Sequence, residues 1–202
     1  MPSLHRRQPT MMADLILFDL DGVIRHFDPA VLARIEIDFG IEEGLLPTEA
    51  FQGPRFEAVI RGDMTRSTWV EEVGIAAGST AAAHKWLANR GTLDPTMTAI
   101  IADLRSAGQR TAILTNGTDT INDELRDLGI DDLVERTFCS AFIGNAKPEA
   151  AAFIHVCEAM SVHPTSVIFF DDTELNVEGA RQLGITAYFF NGPDVVTSAL
   201  GL

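Results

Sequence analysis

The sequence feature that most constrains this chain is a short apolar run that leads directly into two aspartates. The run Leu15-Ile-Leu-Phe18 is followed by Asp19, Asp21 and then Gly22. A continuous apolar run that a glycine closes is typical of a buried strand in a parallel sheet. Two carboxylates on such a strand are unfavourable unless a cation compensates them, and a metal ion is the obvious candidate. The alternative is an ordinary turn in which the aspartates bond nearby backbone N–H groups, and this stretch alone leaves both open.

The second half of the chain alternates regularly between helix and strand patterns. After a helix that opens at Asp94-Pro95 and closes at Gly108, apolar strands are predicted over 110–114, 137–140, 167–170 and 185–190, with helices between them. Such alternation predicts an α/β fold, a Rossmann-like, doubly wound parallel sheet with right-handed crossovers.

The stretch between the first strand and Asp94 reads as helical throughout. Helices are predicted from Asp28-Pro29 to Gly40 and over 55–61, 65–74 and 79–91, with a loop at 47–54 and no strand pattern. An all-helical block between two strands is either a long crossover or an inserted cap, and its length favours a small all-helical cap. We therefore expect a core formed by 1–27 and 93–202, a helical cap over 28–92, and a loose N-terminal arm over 1–13.

Composition and charge limit the classes of partner. The 202 residues suffice for one domain with a small insertion, and the net charge of −14 disfavours nucleic acid and anionic membrane surfaces. No apolar run is long enough to cross a bilayer, and the first dozen residues lack the apolar core of a signal peptide. Cys139 and Cys157 show no metal-ligand spacing and suit a reduced compartment. We expect a cytoplasmic protein, either a monomer or a homodimer.

Polar side chains occur at four predicted strand or loop ends. Because the carboxyl ends of parallel strands meet at one edge of a sheet, these groups are expected to converge although they span most of the chain. The four sets are Asp19 with Asp21, Thr115 with Asn116 and Gly117, Lys147, and Asp171 with Asp172.

The residue types in this set suit a divalent cation and a phosphoryl group. Mg²⁺ prefers oxygen ligands and is commonly held by carboxylates together with substrate phosphate. A carboxylate can also attack phosphorus and form an aspartyl phosphate. Thr115, Asn116 and Gly117 lie at a strand-to-helix turn, where a hydroxyl and backbone N–H groups suit phosphoryl oxygens. Lys147 would donate to the transferring group and offset the crowded carboxylates.

Four motifs occur in order along the chain: Phe18-Asp-Leu-Asp-Gly-Val-Ile24, Leu114-Thr-Asn-Gly-Thr118, Lys147-Pro148 and Phe170-Asp-Asp-Thr-Glu-Leu-Asn-Val-Glu-Gly-Ala180. They resemble those of the haloacid dehalogenase superfamily, over about residues 14–190. The helical block has a length similar to that of members with a small helical cap. The adjacent acidic pair, with Asn176 where many members carry a further Asp, is similar to the variant of glucose-1-phosphatase-type sugar-phosphate phosphatases.

The resemblance implies a role for each residue. Asp19 would be the nucleophile and a Mg²⁺ ligand. Asp21 would act as general acid and then general base, and its backbone carbonyl would also bind the metal. Phosphoryl oxygens would be held by Thr115 and Lys147, with Asn116 and Gly117 in the same phosphate-binding turn. Asp171 and Asp172 would complete the metal site, the latter directly or through a water, and Asn176 departs from the commoner pattern in this half of the site.

The expected function is Mg²⁺-dependent hydrolysis of a small phosphorylated metabolite, a sugar phosphate, through an aspartyl-phosphate intermediate. A phosphomutase would share the same nucleophile and acid and stays open. A metal-independent dehalogenase is the second alternative, but dehalogenating members lack an Asp at the position of Asp21. A phosphosignalling receiver domain is a third alternative, but a receiver carries its acidic pair early in the chain, whereas here the pair comes last. A non-enzymatic binding protein on the same fold is a fourth, and the presence of all the expected catalytic side chains gives no support to it.

Residues of the predicted cap should set substrate choice. Trp69 and Trp86 are interpreted as cap core rather than as groups that stack on a substrate. Arg25, His26, Arg55 and Arg61 could meet a substrate, but each is interpreted as a surface residue.

Overall fold

The computed structural model describes residues 13–202, so the predicted N-terminal arm lies outside the described residues except for Ala13. Seven strands are present in this part of the chain: β1 (Leu15–Phe18), β2 (Arg25–His26), β3 (Thr92–Leu93), β4 (Thr111–Thr115), β5 (Arg136–Cys139), β6 (Val167–Asp171) and β7 (Thr186–Phe189). Five of them form one parallel sheet in the order β5-β4-β1-β6-β7. The predicted α/β fold with a doubly wound parallel sheet is confirmed.

Strand β1 lies at the centre of the sheet and is buried on both faces. Leu15 and Leu17 pack into one apolar cluster, and Ile16 and Phe18 pack into a second cluster on the opposite face. Successive side chains of a strand point to opposite faces, so a strand covered on both sides must be apolar at every position. This double burial explains the uninterrupted apolar run before Asp19.

Helices cover both faces of the sheet. Eleven α-helices occur within the described residues: α1 (Pro29–Phe39), α2 (Leu45–Phe51), α3 (Pro54–Ile60), α4 (Arg66–Ala76), α5 (Thr80–Leu87), α6 (Pro95–Ser106), α7 (Ile121–Asp127), α8 (Ser140–Ile143), α9 (Ala150–Met160), α10 (Glu174–Gln182) and α11 (Pro193–Leu200). Residues of α6, α7 and α11 pack on the face of Phe18, and residues of α9 and α10 pack on the face of Leu17. None of the helices in residues 13–202 has the length and apolarity to cross a membrane.

Helices α1 to α5, called here the helical insertion, surround an apolar cluster to which Ala146, from the loop before α9, also belongs. Their boundaries follow local capping rules. The side chains of Asp28, Thr65 and Ser79 accept hydrogen bonds from backbone N–H groups at the starts of α1, α4 and α5. Gly40 ends α1 with φ of 65°, a left-handed conformation that glycine adopts without a steric penalty.

The structure differs from the sequence-based prediction in several short elements. Helix α2 forms where a loop was expected, because Pro47 falls in its first turn, where a backbone N–H has no helical partner in any case. Strands β2 and β3 pair as an antiparallel ribbon of two residues each, too short to show a periodic pattern. Helices α8 and α11 were not predicted, and α4 and α5 end at Ala76 and Leu87 rather than at the expected glycines.

Candidate active site

The carboxyl ends of the three central strands meet at one edge of the sheet, as the sequence predicts. Asp19 follows β1, Thr115 ends β4, and Asp171 ends β6, and all three residues are buried. Lys147 reaches the same edge from the loop before α9, although it lies 128 positions after Asp19 in the chain. The parallel topology, rather than proximity along the chain, brings these groups together.

Lys147 joins the first and last carboxylates of the site. Its ammonium group lies 2.7 Å from Oδ1 of Asp19 and 2.7 Å from Oδ2 of Asp171, and its side chain is 1% exposed. Burial alone would lower the pKa of Lys147, but the charges of Asp19 and Asp171 outweigh burial and raise that pKa above its ordinary value. Lys147 is therefore held as a cation between the side chains of Asp19 and Asp171.

Asp171 is the most firmly held carboxylate of the site. The backbone N–H of Thr173 donates to Oδ1 of Asp171 at 2.8 Å. The side-chain amide of Asn176 donates to both Asp171 oxygens, at 3.0 and 3.1 Å. A carboxylate in place of Asn176 would repel Asp171, whereas the amide N–H₂ orients it. Asn176, a departure from the commoner family pattern, thus acts on the position of Asp171.

Three carboxylates form a group that can hold a metal ion. Asp19, Asp171 and Asp172 each offer an oxygen, and these oxygens lie within 4.8 Å of one another. Burial, and then the nearby charge of Asp171, raise the pKa of Asp172. One ammonium group cannot neutralise three carboxylates, and an all-oxygen set suits a hard divalent cation such as Mg²⁺. The residues present therefore fit such an ion.

Asp19 is the carboxylate whose protonation depends most on its surroundings. Burial, together with the charge of Asp171, raises the pKa of Asp19 to about 8 in spite of the opposing charge of Lys147. Its Oδ1 accepts the backbone N–H of Leu20 at 2.7 Å. A cation bound beside Asp19 would favour the carboxylate form, which is the form that can act as a nucleophile.

Gly22 provides the space that Asp172 occupies. The φ of Gly22 is +84°, and a Cβ at this position would lie 1.9 Å from Oδ2 of Asp172. The glycine of the first motif is thus needed both for its backbone conformation and for the close approach of the last acidic residue.

Asp21 stands apart from the carboxylate group and is held by an arginine. Arg25 donates to Asp21 Oδ1 through Nε at 2.5 Å and to Oδ2 through Nη2 at 3.0 Å. The Nη1 of Arg25 donates to Oε2 of Glu124 at 2.8 Å. The prediction that Arg25 is a surface residue is wrong, because its side chain is only 5% exposed. Burial of its guanidinium is compensated by these two carboxylates.

Glu124 is a site residue that the sequence did not reveal. Besides Arg25, it receives the hydroxyl of Thr120 at 2.7 Å, and two further arginines, Arg66 and Arg90, lie 3.7 and 3.4 Å from its Oε1. Burial would raise the pKa of Glu124, but the hydrogen bonds from Arg25 and Thr120 lower it below its ordinary value. No local pattern links Glu124 to Arg25, since 99 residues separate them.

The side-chain amide of Asn116 bonds the loop that carries Lys147. Its Nδ2 donates to the carbonyl of Lys147 at 2.8 Å, and the backbone N–H of Lys147 donates to its Oδ1 at 2.8 Å. Gly117 follows, and a Cβ on it would lie 3.1 Å from Sγ of Cys139. Thr115 is 1% exposed at the end of β4. Phosphate binding by Thr115, Asn116, Gly117 and Lys147 stays a prediction.

A cavity of about 350 Å³ opens beside Asp21, between the sheet edge and the helical insertion. The turn of Asn116 and Gly117 forms part of its wall, and the insertion supplies much of the rest. Trp69 and Trp86 both line the cavity, and the indole N–H of Trp69 donates to the carbonyl of Ala50 at 3.2 Å. Trp69 is buried in the core of the insertion, as expected, but it also faces this cavity.

Comparison with known proteins places the chain among hydrolases of one family. Residues 13–184 match haloacid dehalogenase-like hydrolases. Phosphatase MT3486 of Mycobacterium tuberculosis is 29% identical over 194 residues, 88% of this chain and 87% of the relative. The sesquiterpene phosphatase astK of Aspergillus oryzae is 25% identical over 171 residues, 84% and 85% of the two chains.

Solved structures show the same fold. A haloacid dehalogenase family enzyme from Bacteroides thetaiotaomicron, solved as the wild-type protein in complex with magnesium and inorganic phosphate, matches with a TM-score of 0.70 and 24% identity. The match covers 87% of this chain and 92% of that enzyme. The glucose-1-phosphatase-like subtype expected from the acidic pair is not singled out by these relatives and stays a prediction.

Proposed function

Because the chain belongs to the haloacid dehalogenase-like hydrolase family, we propose that it is a Mg²⁺-dependent phosphatase of small phosphate monoesters. The observation that carries this proposal is the group of Asp19, Asp171 and Asp172, whose oxygens lie within 4.8 Å of one another beside a buried Lys147. Phosphatases among the relatives, and magnesium with phosphate in a protein of the same fold, agree with it.

Asp19, Asp171 and Asp172 would hold the Mg²⁺, together with the backbone carbonyl of Asp21. When bound, the ion would supply positive charge to the phosphoryl oxygens and would keep Asp19 ionised. The other positive charge of the site comes from Lys147, which is fixed by its two carboxylate partners and can donate to a phosphoryl oxygen. Thr115 and the turn through Gly117 are the remaining candidates for phosphate binding.

The proposed reaction begins with Asp19. Its carboxylate attacks phosphorus, the bond from phosphorus to the ester oxygen breaks, and an aspartyl phosphate forms. Asp21 gives a proton to the departing alkoxide and so becomes the carboxylate that can accept a proton from water. That water attacks the aspartyl phosphate, which releases inorganic phosphate and restores Asp19 and protonated Asp21. The sum is one ester and one water converted to one alcohol and one phosphate.

The position of Asp21 suits this acid–base role. Its side chain is 44% exposed and lines the cavity where the leaving alcohol would lie, whereas Asp19 and Asp171 are buried. Two hydrogen bonds from Arg25 fix its orientation. A group that exchanges protons with the substrate and with water needs this access to the open side of the site.

The helical insertion is proposed to be the cap domain of the enzyme, over residues 28–92, with the core formed by 1–27 and 93–202. Its own apolar cluster supports this division. The two chain crossings lie side by side in the β2–β3 ribbon, where Arg25 pairs with Leu93 and His26 with Thr92. Because the two connecting segments are paired with each other, the insertion can cover the cavity as one unit.

The proposal is tested by phosphate release from phenyl phosphate. Wild-type protein is expected to release phosphate with Mg²⁺ and not with EDTA, and Asp19→Asn is expected to abolish release. Asp14→Asn is the matched control, because Asp14 is exposed and precedes the same strand. Failure of the metal-replete wild type on a broad panel of phosphate esters would contradict the proposal, and halide release without metal would favour a dehalogenase. Conversion between sugar-phosphate isomers would identify a phosphomutase.

A further inference from the structure

The wall of the cavity beside Asp21 is predominantly apolar. Eleven of its twenty lining residues are apolar, and they come from the helical insertion, from the segments that flank it and from α7. The volume is about 350 Å³. Since an apolar cavity of about 150 Å³ holds one benzene, the volume suits a body of about a dozen non-hydrogen atoms.

Four aromatic side chains form one side of this wall. The ring of Phe51 lies 5.6 Å from Phe56, 6.2 Å from Trp69 and 5.7 Å from Trp86, measured between ring centroids. Phe51 is nevertheless 49% exposed, and it lines the cavity. A large apolar side chain that aromatic neighbours hold in place, while half of it stays open, is a favourable surface for an apolar ligand.

The two arginines of the wall are already paired with carboxylates. Arg25 binds Asp21 and Glu124. Arg66 lies 3.7 Å from Glu124 and donates a hydrogen bond to the carbonyl of Leu87. Among the lining residues these are the two cations, so neither is available for a second phosphate or for a carboxylate of the ligand. The cavity therefore favours a neutral organic body.

Each neutral polar side chain of the wall already makes a hydrogen bond within the protein. The amide of Asn116 is bonded to the backbone of Lys147, Oδ1 of Asn89 accepts the N–H of Gly91 at 2.9 Å, and the hydroxyl of Thr118 lies 3.1 Å from that of Thr120. A sugar has several hydroxyl groups, each of which would lose water here without gaining a full set of partners. Such unpaired groups disfavour binding.

We propose that the substrate is the phosphate monoester of a neutral, apolar alcohol of about a dozen non-hydrogen atoms, rather than a sugar phosphate. The phosphoryl group would lie at Asp19 and Lys147, and the organic body would contact the aromatic wall around Phe51. This inference rests on the proposed phosphatase function, because it assigns the leaving group of that reaction to the cavity beside Asp21.

A series of primary alkyl phosphates separates the effect of the organic body from that of the leaving-group oxygen. We expect kcat/KM for 2-(1-naphthyl)ethyl phosphate to exceed those for ethyl phosphate and glucose 6-phosphate by about 100-fold, the factor for full burial of a large apolar group. Phe51→Ala is expected to lower the ratio of naphthylethyl to ethyl phosphate turnover about tenfold. Phe39→Ala is the matched control, because Phe39 belongs to the same insertion and packs under Lys85 outside the cavity.

Tryptophan fluorescence gives a second readout that does not depend on turnover. The chain contains two tryptophans, and both Trp69 and Trp86 line the cavity. Titration with octylphosphonate in the presence of Mg²⁺ is expected to change the fluorescence and to show binding at least about 100-fold tighter than that of ethylphosphonate.

The outcomes distinguish this inference from the function on which it rests. Hydrolysis of the esters without discrimination, or with preference for glucose 6-phosphate, overturns the inference and leaves the phosphatase function in place. Tighter binding of octylphosphonate without hydrolysis of any ester supports the apolar cavity and overturns the phosphatase function. Equal binding of both phosphonates with no fluorescence change overturns the inference.

Discussion

Asn116 and Lys147 exchange two hydrogen bonds through a single side-chain amide. Nδ2 of Asn116 donates to the Lys147 carbonyl at 2.8 Å, and Oδ1 accepts the Lys147 backbone N–H at 2.8 Å. The backbone partners fix which end of the amide faces which group. Asn116 therefore ties the end of β4 to the loop that carries the ammonium group between Asp19 and Asp171. The side chain of Asn116 thus fixes the position of Lys147.

Replacement of Asn116 should accordingly loosen Lys147. Asn116→Ala leaves a backbone N–H and a carbonyl without partners, and we expect a loss of about 1–3 kcal/mol in the free energy of unfolding. The kcat should fall as well, because Lys147 is no longer fixed. Urea unfolding and steady-state kinetics measure the two effects. Asn145→Ala is the control, since Asn145 makes one local hydrogen bond, to the carbonyl of Ile143. Equal effects of the two substitutions would contradict this role.

Gly22→Ala should displace Asp172 and weaken Mg²⁺ binding. The new Cβ would lie 1.9 Å from Oδ2 of Asp172, and φ of +84° adds backbone strain. Gly108 has the same φ of +84° and nothing within 4 Å of the Cβ position, so Gly108→Ala shows the effect of backbone strain without a steric clash. Both variants should lose about 1–2 kcal/mol of stability from the backbone conformation.

Calorimetric titration with Mg²⁺ separates the two glycine variants. Gly22→Ala is expected to bind Mg²⁺ at least about tenfold more weakly, which corresponds to the loss of one carboxylate contact, whereas Gly108→Ala should bind it as the wild type does. Unchanged affinity in Gly22→Ala would show that Asp172 does not take part in the metal site.

Mg²⁺ affinity should rise with pH. Burial raises the pKa of Asp19 to about 8 in the metal-free protein. Because the folded-state pKa lies above the unfolded value of 3.8, protonated Asp19 favours the folded state, and this contribution is lost as pH rises towards 8. Mg²⁺ binds the ionised form, so it competes with that proton.

The Mg²⁺ dissociation constant is expected to fall by up to about tenfold for each pH unit as the pH rises to 8, and to stay constant above pH 8. Thermal unfolding with and without Mg²⁺ should likewise show a larger stabilisation at pH 8 than at pH 6. In Asp19→Asn this pH dependence should weaken, because only the contribution of Asp172, whose pKa is also raised, remains. Binding of Mg²⁺ that is equally strong at both pH values would contradict a raised pKa of Asp19.

Glu124→Gln should destabilise the junction between the sheet and the helical insertion. It removes the charge that Arg25, Arg66 and Arg90 share, and loss of one partner of a buried pair lowers stability by about 3–5 kcal/mol. The folded-state pKa of Glu124 lies below its ordinary value. The extra free energy of unfolding of the wild type over Glu124→Gln is therefore present above pH 4.5 and is lost as pH falls through the folded-state pKa.

Urea unfolding at neutral and acidic pH measures this effect. Glu135→Gln is the control, because Glu135 pairs with Arg110 at the surface, where its side chain is 44% exposed. The control should lose at most about 1 kcal/mol. A loss in Glu124→Gln no larger than that would mean that the arginine cluster contributes little to the junction.

Much of the site could be predicted because its residues follow strands. Asp19, Thr115 and Asp171 each end an apolar run, and a parallel sheet brings such ends to one edge whatever their separation in the chain. Lys147 and Asp172 were placed by their motifs. The parallel sheet and the convergence of the carboxylates and Lys147 at one of its edges were thus foreseeable in outline.

The contacts that a sequence does not encode locally were missed. The sequence predicts a surface position for Arg25, because nothing near it in the chain indicates that Glu124, 99 residues away, pairs with it in a buried position. Similarly, the motif shows Asn176 only as a departure from its usual pattern, whereas the structure shows that its amide donates to both oxygens of Asp171. The apolar cavity depends on how α2, α3 and α5 pack, which periodicity alone does not define.

Chemical trapping at Asp19 tests most directly the transfer of phosphate to this residue. Asp21→Asn should still form the aspartyl phosphate from 4-nitrophenyl phosphate, whose leaving group departs without a proton, but should hydrolyse it slowly because no base activates the water. Acid quench, borohydride reduction and peptide mass spectrometry are expected to find the reduced residue at position 19. Nucleophilic attack by Asp19 would be contradicted if the wild type releases phosphate but the reduced residue in Asp21→Asn is found at position 171 or 172, or at no position.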